Sequence, residues 1–400
     1  MTTTVNNEHK NIKVPNLRFK EFQGEWEKCT LEDVINFSTT RVNSSELNKD
    51  NYVSTENMLQ DYQGIVKAKS VPEDVNVVSF SCGDILISNI RPYLKKVWKA
   101  TFNGGCSSDV FVLKANDNIE SDYLHYVIAN DKFINFVMSG AKGVKMPRGD
   151  KKQMETYSLS LPQIQEQHKI ARLLSLLDER IATQNKIIDK LQSLIKGLNN
   201  HLCQQHGNEI ETSFADLGVS YSGLSGKTAA DFGSGKPFIT YLNVYSNNVI
   251  DETSYQYVRM GNNEKQSIVR YGDVLFTLSS ETPEEVGIGS VYLGNQEVYL
   301  NSFCFGIHIT NTQKSFSPYL SYYISTTQFR KFIYPFAQGS TRFNLCKADF
   351  EKATIKLPTL ENQKRIYKAL KSLSDKIMVE KATLEQYSRQ KQYLLRQMFI

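Results

Sequence analysis

Two stretches carry the residues best suited to chemistry, and in both the chemistry is recognition rather than bond breaking. SGAKGVKMPRGDKK, Ser139 to Lys152, sets Lys142, Lys145, Arg148, Lys151 and Lys152 among glycines. QGSTRFNLCK, Gln338 to Lys347, sets Arg342, Asn344 and Lys347 beside Gly339. Arginine and lysine reach phosphate oxygens or guanine edges, Asn and Gln match adenine, and glycine lets a backbone approach closely. SNIRPYLKK, with Asn89, Arg91, Lys95 and Lys96, and the turn SYSGLSGKT, with Tyr221 and Lys227, have the same character. Each of these segments is also readable as a solvated surface loop.

Several stretches imitate catalytic motifs without completing them. SGLSGKT, Ser222 to Thr228, ends like a phosphate-binding loop, but the spacing needs glycine where Tyr221 stands. DFGSGK, Asp231 to Lys236, shares letters with a kinase motif but no HRD-type catalytic loop accompanies it, so a flexible turn is expected. No H-E-x-x-H, G-x-S-x-G, G-x-G-x-x-G or amino-methyltransferase Asn-Pro-Pro-Tyr motif is found. The pairs Glu284-Glu285 and Asp178-Glu179 read as solvated faces. The six cysteines form no C-x-x-C pair, and His201, Cys203 and His206 lack a fourth ligand, so no metal is expected.

The recognition segments are positioned by two long amphipathic helices. From Leu161, LPQIQEQHKIARLLSLLDERI opens a helix running to about His206, with Pro162 expected in its first turn and Glu166 at the positive end of its dipole. Ile170, Leu174, Leu177, Ile181, Gln184, Ile188, Leu191, Ile195, Leu198 and Leu202 alternate steps of four and three, the a/d seam of a coiled coil. The C-terminus opens with Leu357-Pro358 in LPTLENQKRIYKALKSLSDKI, 357 − 161 = 196 residues later. That offset carries the seam onto Ile366, Leu370, Leu373, Ile377, Glu380, Leu384, Tyr387, Lys391, Leu394 and Met398. Gln184 and Glu380 are equivalent interruptions. Lys391 is a further one, expected to mark local fraying or a surface left for another protein.

The repeat reaches upstream of the helices. SDYLHYVI from Ser121 matches SPYLSYYI from Ser317 at the same offset, and Phe133 and Phe136 fall on Phe329 and Phe332. GDILIS from Gly83 resembles GDVLFT from Gly272, and YVSTENM from Tyr52 resembles FITYLNV from Phe238. A unit of one mixed α/β domain and one long helix has been duplicated, the domains diverging more than the helices. The expected organisation is a disordered tail over 1–13, a domain over 14–160, a helix over 161–206, a second domain over 207–356 and a second helix over 357–400. The second helix must run back antiparallel to bury its stripe on the first, which puts a domain at each end of a pseudo-two-fold rod. The first seam would span about 50 Å at ~1.5 Å per residue.

Four hundred residues, 40% hydrophobic and 22% charged, describe ordinary globular material. Neither a membrane span nor a signal-peptide core is legible, and the chain reads as cytoplasmic. A net charge of +5 is compatible with nucleic acid without being diagnostic of it.

Two divergent α/β domains, each followed by a helix opened by L-P-x-x-x-x-Q, resemble the specificity subunit of type I restriction-modification systems. The resemblance runs from about Val14 to Ile400 and is carried by the two helix openings, the two GD-[IV]-L strands and the paired glycine loops. It implies two target recognition domains reading an asymmetric bipartite sequence in double-stranded DNA. It also implies helices that act as spacer and dock for two methyltransferase subunits, with restriction/translocase subunits joining them. S-adenosylmethionine, ATP and Mg would then belong to those partners, leaving this chain non-catalytic and without a cofactor. Domain centres set inward from the rod's ends would lie about 10–15 base pairs apart at ~3.4 Å per pair. The alternative is a coiled-coil scaffold joining two protein-binding domains without DNA specificity. A fused methyltransferase or nuclease lacks both the motifs and the room.

Overall fold

The structure is a computed structural model that describes residues 14–206, 209–261 and 263–400. The stretch 1–13, read above as a disordered tail, lies outside the described residues. Contacts divide the chain into two units. One holds residues up to Gln184 together with Thr383–Ile400, and the other holds Asn185–Ala382. Each long helix is therefore divided between the units.

In unit 1 the domain opens with β1 (Glu27–Thr30) and β2 (Ile35–Phe37), continues through β3 (Ile85–Ser88), β4 (Val97–Lys99) and β5 (Val110–Ala115), and closes with β6 (Ser158–Leu161). The central sheet has the order β2-β5-β3-β4 with every neighbour antiparallel. All four residues of β3 are buried because both faces of this sheet are covered. Ile85 and Ile87 pack with Tyr123, Leu124 and Phe133 of the helices α1 (Ser121–Ile128) and α2 (Asp131–Ser139). Leu86 packs with Phe80, Trp98 and Cys106 toward a second sheet formed by Arg41–Asn43, Asn76–Phe80, Gly104–Cys106 and Tyr52–Val53. A strand buried on both faces reads as a continuous apolar run, which is why GDILIS stands out in the sequence.

The chain then enters α3 (Ile164–His206), whose first residue lies two beyond Pro162. Pro162 is therefore outside the first turn, contrary to expectation, and its carbonyl has another task. Gln167, almost wholly buried, donates from Nε2 to that carbonyl at 2.9 Å and to Asn118 O at 3.1 Å, while its Oε1 accepts from Glu120 N at 2.8 Å. One amide thus ties the helix start to the segment leading into α1. Glu166, 1% exposed, is held by Arg18 through two 2.8 Å contacts and by Trp26 Nε1 at 3.2 Å. A buried carboxylate is tolerated because it is paired and hydrogen-bonded.

Unit 2 repeats this plan. β7 (Ile210–Thr212), β8 (Gly218–Ser222), β9 (Val274–Thr277), β10 (Ser279–Ser280), β11 (Gly289–Val291), β12 (Cys304–Ile309), β13 (Ala337–Gly339), β14 (Phe343–Leu345) and β15 (Ile355–Leu357) follow one another. The central sheet is β8-β12-β9-β11, again antiparallel throughout. Val274 and Phe276 face a core shared with Tyr319 and Leu320 of α4 (Ser317–Tyr323), while Leu275 faces Ile239, Val298 and Leu300. β7 pairs with β15 as β1 pairs with β6. The aspartate of each GD turn closes the turn from its side chain, Asp84 accepting from Ser81 N and Asp273 from Arg270 N, both at 2.8 Å. Gly83 and Gly272 take φ of +96° and +87°, a region open to glycine.

The second long helix, α5, spans Leu360–Gln397. Gln363 stands 196 residues after Gln167 and repeats its three bonds, to Pro358 O (2.9 Å), to Lys314 O (2.9 Å) and from Phe316 N (2.8 Å). Within unit 1, Asp178 of α3 meets Lys391 of α5 at 2.5 Å and Arg180 lies over the Tyr387 ring, so the helices run antiparallel. Lys391 is neither frayed nor free, as the sequence had suggested. It also lies over the Tyr126 ring, whose hydroxyl donates to Asp178 at 2.8 Å. Ile170, Leu174 and Leu177 share the core of unit 1 with Leu394 and Met398, and Ile195, Leu198 and Leu202 share that of unit 2 with Ile366 and Leu370. Ile188 and Ile377 are buried, whereas Ile181, Leu191, Leu373 and Leu384 are half-buried. Burial of one such leucine contributes about 1.5–3 kcal/mol.

Candidate nucleic-acid interface

In unit 1 two separately noted segments form one surface. Beyond α2 the loop folds on itself, Lys142 and Arg148 exchanging backbone hydrogen bonds of 3.1 and 3.0 Å around Gly143 at φ +96°. This narrow ribbon is stitched to SNIRPYLKK, where Arg91 N donates to Pro147 O at 2.7 Å and Gly149 N to Asn89 O at 2.8 Å. Arg91 and Lys95 both sit at positive φ, 49° and 53°, sparsely populated for residues with a Cβ and concentrated at functional sites.

The side chains sort into those that face out and those held by the protein. Lys142, Lys145 and Arg91 are exposed, as are Val144 and Met146 at the ribbon tip. Arg148 pairs with Asp109 at 2.7 Å yet stays half exposed, and Lys142 reaches Asp150 at 3.2 Å. Asp150 lies below the ordinary carboxylate range, first through the Gln153 N–H at its helix cap and then through Lys142. Lys151 stands 4.6 Å from the Phe37 ring centre. By contrast, Lys95 is paired with Asp131 at 2.8 Å, and Lys96 donates to Thr55 O at 2.5 Å with its pKa lowered chiefly by burial. Asn89 is buried, and its Oδ1 meets no partner among the described residues.

Beside this surface the sequence gives no hint of a cleft of about 500 Å³ lined by Phe37, Arg41, Ser107, Ser108, Phe111 and Lys151, among others. Phe37 and Phe111 meet edge to face at 5.6 Å. Its cationic and aromatic lining residues come from strands and loops far apart in the chain, so no local spacing could reveal it.

In unit 2 the corresponding segment is a hairpin of β13 and β14, with β10 on the far side of β14. Gln338, Asn344 and Ser279 are cross-strand partners in one row. Arg342 lies in the exposed connection with its guanidinium 6.0 Å from the Phe303 ring centre. Lys347 is 5.0 Å from the Phe305 ring and 3.7 Å from Glu351. Arg330, unnoticed in the sequence, donates to Gly287 O, Glu284 O and Val286 O within 2.7–2.8 Å, staking down the neighbouring loop.

Tyr221 and Lys227, placed among the outward residues from sequence, turn inward. Tyr221 OH donates to Asp273 at 2.7 Å and its ring stacks on His308 at 4.2 Å. Burial first, then Asp273, raises its pKa. Lys227 is 9% exposed and bonds Glu264 and Arg259 O, each at 2.5 Å. Glu264 is drawn down to about 2, by the Gly261 N–H before Lys227. Cys203 belongs to the core of unit 2, its Sγ 3.2 Å from Tyr319 OH, where burial raises the thiol pKa.

These surfaces carry hydrogen-bonding and cationic groups on short ribbons. Among the described residues no cluster of three or more His, Cys, Asp or Glu could hold a metal, and no helix is long and apolar enough to cross a membrane. The chain is similar to the MjaVIII type I restriction enzyme specificity subunit of Methanocaldococcus jannaschii, 25% identical over 73% of this chain and 72% of that one. It is also similar to the same organism's putative MjaX specificity subunit, 24% identical over 81% and 79%. The solved S subunit of the type I restriction-modification system from M. genitalium shares the fold, with TM-score 0.57 at 15% identity over 97% and 99% of the two chains. The family model described as "Type I restriction modification DNA specificity domain" matches twice, at residues 23–193 and 227–387. Two such domains, each seated on a long helix by the same buried glutamine, place this chain in the family of type I restriction-modification specificity subunits.

Proposed function

We propose that this chain reads DNA for a type I restriction-modification complex, unit 1 and unit 2 each recognising one half of an asymmetric bipartite target. The observation that carries this reading is the contrast between the retained helix clamp, Gln167 and Gln363, and the divergent exposed ribbons. Duplication supplies two readers, and divergence where side chains face out makes the half-sites differ. Exposed Lys142, Lys145, Arg91 and Arg342 suit phosphates or guanine edges. The helices α3 and α5 set the gap between half-sites and dock two methyltransferase subunits, which bring S-adenosylmethionine; ATP and Mg belong to restriction subunits. The chain itself performs no bond chemistry.

The test is selection of bound duplexes from a random pool, using the chain co-purified with its partner subunits. Two short unlike half-sites at a fixed gap are expected. If partners co-purify and nothing is enriched, the chain is a scaffold and the proposal fails. Inserting a heptad into α3 between Ile181 and Leu198, matched by one in α5, should lengthen the preferred gap by about 3 base pairs. An unchanged gap would remove the spacer role.

A further inference from the structure

The hairpin of unit 2 presents an amide pair whose placement follows from strand periodicity. Successive residues of a strand point to opposite faces, and directly paired residues share a face. Ala337, Phe343 and Leu345 pack onto the core of unit 2. Gln338 and Asn344, paired with each other between them, must point the other way, and both are exposed. Neither amide meets a hydrogen-bond partner among the described residues. The buried amides Gln167, Gln363 and Asn57, in contrast, are fully engaged within the fold.

The ribbon is narrow. At Gly339, φ +144°, an added Cβ would stand 2.1 Å from Arg342 O, so the strands close tightly around Ser340 and Thr341. β13 is the outer strand of its sheet, with no further strand paired to it. A two-stranded ribbon fits the major groove of B-DNA, where an Asn or Gln side chain pairs bidentately with adenine N6 and N7; here only the two residues Ser279–Ser280 of β10 extend the hairpin beyond β14. Arg342 beside the Phe303 ring adds a cation next to the amides.

We infer that Gln338 and Asn344 form an adenine-reading pair that enters the major groove, so that the half-site recognised by unit 2 contains A·T pairs specified by these two side chains, one adenine to each amide. This deepens the DNA-reading proposal and rests on it. The corresponding ribbon of unit 1, with Lys142, Lys145 and Arg148, carries no such amide pair.

The experiment repeats the random-pool selection with the full complex carrying Gln338→Ala or Asn344→Ala. Each variant should relax one A·T position in one half-site, by about 5- to 150-fold in discrimination, and leave the other half-site and the salt dependence unchanged. Replacing that adenine by 7-deaza-adenine, which lacks the N7 acceptor, should weaken the wild-type complex and leave the variant indifferent. Asn344→Asp, an acceptor only, should shift preference toward cytosine, whose N4 donates. Unchanged half-sites in all three variants, or a uniform loss across sequences, would overturn the inference while the wild-type target stands. No target for the wild type would instead overturn the DNA-reading proposal.

Discussion

The joint between domain and helix is built twice in this molecule, and the two copies agree in one place and differ in another. Gln167 and Gln363 make the same three bonds to partners that all lie 196 residues apart. About three helical turns further along each long helix, agreement ends. In unit 1, Tyr126 OH donates to Asp178, which also holds Lys391. In unit 2 the equivalent Tyr322 OH meets Ser374 Oγ at 2.8 Å, and Ile195 stands where Lys391 would. The clamp is a requirement of the architecture. The polar arrangement beyond it is one of two solutions to the same packing problem.

The largest effects should come from the clamps. Gln167→Ala leaves three backbone groups at a buried joint without partners, which costs about 2–4 kcal/mol, and Gln363→Ala should cost the same within about 1 kcal/mol. Both tryptophans, Trp26 and Trp98, belong to unit 1, so their fluorescence during urea unfolding follows that unit alone, while amide exchange follows unit 2. Unequal losses would end the equivalence of the two joints.

Much of this was legible from residues alone. The seam, the 196-residue offset and the L-P-x-x-x-x-Q openings are local patterns, and local patterns survive in sequence. The GD strands were visible because burial on both faces leaves an unbroken apolar run. What stayed hidden depends on long-range contacts. Lys391 looked like a flaw in the seam because its partner Asp178 lies 213 residues earlier. Lys227 looked like a free cation because Glu264 comes from another loop. Gln338 could have been found from the alternation in A-Q-G and F-N-L, an out-facing polar residue between in-facing ones, had the hairpin been recognised. The cleft beside Phe37 and Lys151 offered no signal at all.

A smaller effect distinguishes the polar site of unit 1. Asp178→Ala strands Lys391 and the Tyr126 hydroxyl, but both members of the Asp178–Lys391 pair retain some solvent, so the loss should be about 1–2 kcal/mol. Transplanting the unit 2 arrangement, Asp178→Ser with Lys391→Ile, should recover most of it. A double variant no more stable than Asp178→Ala would mean that the two solutions are not interchangeable.

The last effect, no larger than this one, is a pH dependence that originates in unit 1. His125 precedes Tyr126 in α1, and its Nδ1 is sealed from solvent without a partner among the described residues. Asp122, Asp178, Lys99 and Lys391 face it. Burial first, and the Lys391 charge second, lower its pKa from 6.5 to about 4. The folded state thus holds this imidazole neutral where the unfolded chain would protonate it. Stability is full above pH 6.5 and falls as pH drops toward 4, with a loss of about 1–2 kcal/mol between pH 7 and pH 5. Ser321 is the equivalent residue in unit 2 and cannot titrate in this range. Tryptophan-monitored unfolding at the two pH values should show the loss, and His125→Ser should flatten it. If that variant leaves the slope unchanged, the acid sensitivity of unit 1 originates in other groups, and this last difference between the joints has no electrostatic consequence.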